Sequence, residues 1–108
     1  MSAAAARFEH LLAPGRIGPL GLRNRAIMYL LYSAGMRVAE CAGLKLGALD
    51  SGNGMLRVLG KGGRERLVPY GQQAADAVAD YLARARTGLV GDTSADWLWL
   101  SKRGGRLG

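Results

Sequence analysis

Gly60-Lys61-Gly62-Gly63 stands between two short runs of strand-forming residues, Met55 to Leu59 and Arg64 to Val68. Glycines permit positive φ at a tight tip, so the two runs can fold back on each other as an antiparallel hairpin that carries Lys61 at its end. A nucleotide-binding P-loop is excluded. Gly54 to Gly60 has one residue too many between its glycines, and Gly62 stands where a Ser or Thr would meet magnesium. ATP binding is therefore not expected.

A second cation sits just upstream. Leu22 to Ala34 has Ile27, Leu30, Leu31 and Ala34 spaced for one apolar helix face, which Met28, Tyr29 and Tyr32 thicken, and Gly35 fits the C-terminal cap. Both tyrosines are expected in the core. Arg37 to Gly43 then predicts a short helix with Val38, Cys41 and Ala42 directed inward. Glu40 lies one turn from Arg37, a spacing that lets its carboxylate orient the arginine. Arg37 after a helix-ending glycine and Lys61 at a hairpin tip are long cationic side chains on rigid elements, free to reach an anion. A phosphate is the expected ligand.

The remaining chain supplies a scaffold. Ser2 can cap a helix from about Ala3 to Leu12, which Pro14 and Gly15 stop, and Gly15 to Gly21 reads as a connector. Asp50-Ser51-Gly52-Asn53-Gly54 is a turn. Gln72 to Arg86 has the clearest amphipathic pattern, with Ala74, Ala77, Val78, Tyr81, Leu82 and Ala85 on one side, and Gly88 closes it. Trp97-Leu98-Trp99-Leu100 predicts a third strand able to join the hairpin, followed by the basic turn Lys102-Arg103-Gly104-Gly105-Arg106. The fold class is α+β, mainly helical with a small antiparallel sheet.

Charge and length narrow the partners. The 108 residues suffice for one small domain, and fifteen Lys and Arg against eight Asp and Glu leave a formal charge of +7. Most of that excess is arginine, whose planar fork suits phosphate oxygens, so a polyanion is the favoured partner. Arg57, Arg64 and Arg66, in and beside the hairpin, are the candidate contacts to its backbone. Cys41 is the sole cysteine and His10 the sole histidine, so no disulfide and no Cys/His metal cluster is expected. Cys41 reads as a small core side chain and the chain as cytoplasmic, with no membrane-spanning run or secretory signal.

Tyr32-Ser33-Ala34-Gly35-Met36-Arg37-Val38-Ala39-Glu40 resembles the Y-x-x-G-x-R-x-x-E box of the tyrosine recombinases, the phage-integrase and Xer-type family that cuts and rejoins DNA. Gly43-Leu44 and Leu49-Asp50 follow at the places that family uses, and Gly60 to Pro69 resembles its G-K-G-x-K/R-x-R-x-V-P hairpin. The likeness extends from about Leu11 to Gly108. It implies that Arg37 holds the scissile phosphate, that Glu40 supports the site, and that Lys61 protonates the departing 5′ oxygen. It also implies double-stranded DNA and other recombinase protomers as partners, with no cofactor and no metal.

The family's later residues are a His-x-x-Arg box, a second His or Trp, and the tyrosine that joins the 3′ phosphate. None is matched here. Residues 1–108 are accordingly expected to be the first half of a catalytic domain, without the separate N-terminal DNA-clamping domain and inactive alone. A non-enzymatic basic nucleic-acid module, or an inactive remnant of an integrase, is the alternative.

Overall fold

A computed structural model describes residues 18–107. The expected helix over 3–12 and His10 lie outside the described residues. Helix α1, Pro19–Ala34, has Pro19 in its first turn, where a missing N–H costs nothing. Leu22, Ala26 and Leu30 form its buried stripe at four-residue spacing. Tyr32 is not in the core: two residues beyond Leu30 it faces away from that stripe and is 89% exposed. Gly35, with φ 64°, ends α1 by returning its N–H to the Leu31 carbonyl.

Helix α2, Val38–Ala42, follows, with Arg37 as its N-cap and Cys41 buried. Val38, expected inside, is 71% exposed in the first turn of this five-residue helix, and Met36, just ahead of it, makes the inward contact at 7%. The sheet has three antiparallel strands in sequence order: β1 Leu49–Asp50, β2 Met55–Leu59 and β3 Glu65–Pro69. The turn between β1 and β2 is held by Asn53, whose backbone and side-chain amides both donate to Asp50.

Helix α3, Gln72–Tyr81, runs on through a π-helical turn, Leu82–Arg86, into α4, Thr87–Leu89, so the helical path passes through Gly88 instead of closing there. Its buried face is small: Ala74, Ala77, Val78 and Ala85 let α3 approach α1 closely, with Tyr81 as the one large side chain. Helices α1 and α3, the inner side of the sheet (Leu56, Val58) and Leu98 and Trp99 enclose one core. Each fully buried Leu or Val there contributes about 1.5–3 kcal/mol.

Trp97 to Leu100 does not join the hairpin. The third strand is β1, and the segment makes only two isolated bridges, Lys45 with Trp97 and Leu100 with Arg106. Other groups take its backbone. Leu98 donates to the Leu44 carbonyl, and the Tyr81 hydroxyl donates to Leu98 O at 2.7 Å while accepting from Leu100 N at 3.0 Å. Arg86 donates to Trp97 O and Arg23 to Leu100 O. With these groups satisfied by side chains and loops, no ladder is left for a strand partner.

Candidate functional site

Arg37 is exposed at the α1–α2 junction, where Gly35 ends one helix and Val38 starts the next. The Glu40 carboxylate, in the third position of α2, accepts the Arg37 backbone N–H at 2.9 Å. The contact between Glu40 and the arginine is to the backbone that carries it. Its main side-chain partner is Arg66, which donates from both terminal nitrogens, at 2.9 and 3.0 Å, to the two carboxylate oxygens.

That partnership follows from strand register. Val58 pairs with Arg66 and Leu56 with Val68, so Arg66 projects on the inner side of the hairpin, beside two fully buried residues of β2. Arg57 pairs with Leu67 and Leu59 with Glu65, so Arg57 projects on the opposite side. The three hairpin arginines thus do not form one patch. Arg57 lies 3.8 Å from Glu65 with both side chains more than half exposed, a contact of little energetic weight. Arg64 and Lys61 are exposed at the tip, where Gly62 and Gly63, both at φ 76°, complete the turn.

Charge around Glu40 has a clear sign. The hydrogen bonds from Arg66 and from the Arg37 backbone hold its carboxyl well below the ordinary 4.5, at about 2. Burial acts the other way on Cys41, whose thiol is pushed up to about 11, so it packs as an apolar group as expected. Among the described residues the buried Trp99 indole N–H has no partner in hydrogen-bond geometry, while its nearness to the Cys41 sulfur favours the thiolate. Burial likewise raises the Tyr81 phenol.

Sequence reasoning missed a groove of about 630 Å³ beside this junction. Glu40, Arg57 and Glu65 line it together with Lys45, Trp97 and Arg106. Trp97 carries two cations: Lys45 Nζ is 5.1 Å and the Arg106 guanidinium 4.6 Å from its ring centre. These residues are far apart in sequence and obey no spacing rule; the basic composition of the Lys102–Arg106 turn was the one available signal. Among the described residues no three His, Cys, Asp or Glu side chains gather to hold a metal, and no helix is long and apolar enough to cross a membrane.

Arg37 at a helix junction and Lys61 at a hairpin tip are two exposed cations of a small α+β module, and the Glu40–Arg66 pair links the junction to the hairpin. The family to which it belongs is shown by comparison: the model of the phage integrase family matches residues 4–108, and the chain is a member of that family. It is 45% identical to tyrosine recombinase XerD of Ralstonia nicotianae over 101 residues, covering 92% of this chain and 33% of that protein. The crystal structure of XerA recombinase superposes with a TM-score of 0.76 at 26% identity, covering 100% of this chain and 37% of the other. XerH recombinase, solved bound to its palindromic difH substrate after cleavage, shares the fold with a TM-score of 0.72 at 23% identity, over 94% of this chain and 28% of XerH. The chain spans about a third of the length of the curated relatives it matches.

Proposed function

We propose that this chain forms the phosphate-gripping part of a site-specific DNA recombinase and binds double-stranded DNA. Arg37 holds the non-bridging oxygens of the scissile phosphate. Lys61 reaches the departing 5′ oxygen from the hairpin tip and gives it a proton, and Glu40 supports both. Developing charge on a phosphoryl group is met by positioned cations, and of the two only lysine can also deliver a proton at ordinary pH.

The observation that carries this reading is the arrangement of Arg37 and Lys61: both side chains are exposed, on separate elements linked through Glu40 and Arg66. Arg57 and Arg64 supply further contacts to the DNA backbone. In the complete enzyme the phosphate passes to a tyrosine outside the matched boxes, other protomers assemble around the DNA, and the reaction takes place in the cytoplasm.

The test is a titration of duplex DNA at low and moderate salt. Affinity falls steeply as salt rises, with little dependence on sequence, and Arg37→Ala and Lys61→Ala each reduce the slope of log K against log salt by about one. Affinity that does not change with salt refutes the phosphate reading, and equal affinity for RNA supports a general nucleic-acid module instead.

A further inference from the structure

Arg66 looks by composition like a third hairpin cation for the DNA backbone, but its geometry is that of a strut. Both its terminal nitrogens donate to Glu40, at 2.9 and 3.0 Å, and the same carboxylate accepts the Arg37 backbone N–H at 2.9 Å. The Glu40 side chain is only 15% exposed, against 44% for Arg66. The link also passes over the base of the tip. A Cβ placed on Gly60, the residue before Lys61, would lie 3.3 Å from Arg66 Nη1 and 3.7 Å from Glu40 Oε2.

We infer that Arg66 is a positioning residue, which through Glu40 fixes the hairpin bearing Lys61 against the helix junction bearing Arg37. This rests on the phosphate roles given to Arg37 and Lys61. Two consequences separate a strut from a phosphate ligand. The pair is neutral as a unit, so it adds no net attraction for DNA. Its fork geometry needs two parallel hydrogen bonds, so lysine replaces it only in part.

The signs of two variants then differ between the readings. If Arg66 contacts phosphate, Arg66→Gln weakens DNA binding and lowers the salt slope by about one, while Glu40→Gln removes a repelling carboxylate and tightens binding. If Arg66 is a strut, both single variants weaken binding to a similar extent, and the double variant is no worse than either, because all three break one connection.

The experiment uses the 108-residue chain. Carbon-detected NMR follows the Glu40 carboxyl through acid titration, and the same variants are titrated with duplex DNA. Arg57→Gln, on the other side of the hairpin, serves as control for the carboxyl titration alone. The expected midpoint for Glu40 is about 2 in the parent chain and rises toward the ordinary 4.5 in Arg66→Gln, with Arg66→Lys between them and Arg57→Gln unchanged. A Glu40 midpoint indifferent to Arg66→Gln overturns the inference, as does tighter DNA binding by Glu40→Gln. The carboxyl titration needs no DNA, so a chain that binds none refutes the phosphate reading while the strut is still decided.

Discussion

Replacing Tyr81 by Phe removes one oxygen atom and strands two buried backbone groups. The hydroxyl is the acceptor for Leu100 N–H at 3.0 Å and the donor to Leu98 O at 2.7 Å, and the side chain is fully buried, with its ring 5.1 Å from that of Trp99. Each buried group left without a partner costs about 1–3 kcal/mol, so Tyr81→Phe should destabilise the fold by about 3 kcal/mol after partial relaxation. Against a total of about 5–15 kcal/mol that is a large share. Urea unfolding followed by tryptophan fluorescence reads the loss: with a slope of about 1.5 kcal/mol per M, the midpoint falls by about 2 M without a change in slope. The matched control is Tyr32→Phe on the exposed side of α1, which should stay within about 0.5 kcal/mol of the parent. A Tyr81→Phe loss as small as that of Tyr32→Phe refutes the claim that this hydroxyl, and not a sheet partner, holds the Trp97–Leu100 segment.

Two glycines should respond in opposite directions. Gly104 has φ +89° and an added Cβ would lie 2.5 Å from Leu89 O, so Gly104→Ala should cost about 2 kcal/mol or more and lower the melting temperature by at least about 8 °C. Gly88 is helical, with open space at its Cβ, so Gly88→Ala should instead add about 0.5–1 kcal/mol in the same melting experiment. The acid limb of stability should report Glu40. Its carboxyl sits at about 2 against an ordinary 4.5, so the stability it contributes is complete above the ordinary value and is lost as pH falls toward about 2. The gap between the parent and Glu40→Gln, measured by urea unfolding, should therefore be constant at neutral pH and close through that window.

Much of the scaffold was legible in the sequence because local rules agreed with tertiary packing. The α3 pattern, the Gly35 cap and the Lys61 hairpin combine strong periodicity or turn chemistry with a core that uses the same faces. Failures came where length or competition removed the signal. A two-residue strand such as β1 has no period to detect, and Trp97–Leu100 has strand composition but spends its backbone on Tyr81, Arg86 and Arg23. Tyr32 was misplaced because its apolar ring suggested burial, whereas its angular position relative to Leu30 decides the matter. In the candidate site, residue types and spacing picked out Arg37, Glu40 and Lys61. They could not divide the hairpin arginines, because strand parity and the bond to Glu40 send Arg66 inward and Arg57 outward.

Arg37 and Lys61 are proposed to act on one phosphate in different ways, and strand cleavage by a chimera separates the two roles. In the chimera, residues 18–107 replace the matching segment of the Ralstonia nicotianae relative. With ordinary DNA, Arg37→Ala should lower cleavage by roughly two to three orders of magnitude, the scale for losing one preorganised charge stabiliser, and Lys61→Ala should lower it by roughly two or more through the lost proton donor. Replacing the 5′ bridging oxygen by sulfur makes the leaving group independent of protonation. This substrate should restore Lys61→Ala toward the parent rate and leave Arg37→Ala slow; equal rescue of both variants, or rescue of neither, contradicts the division of roles.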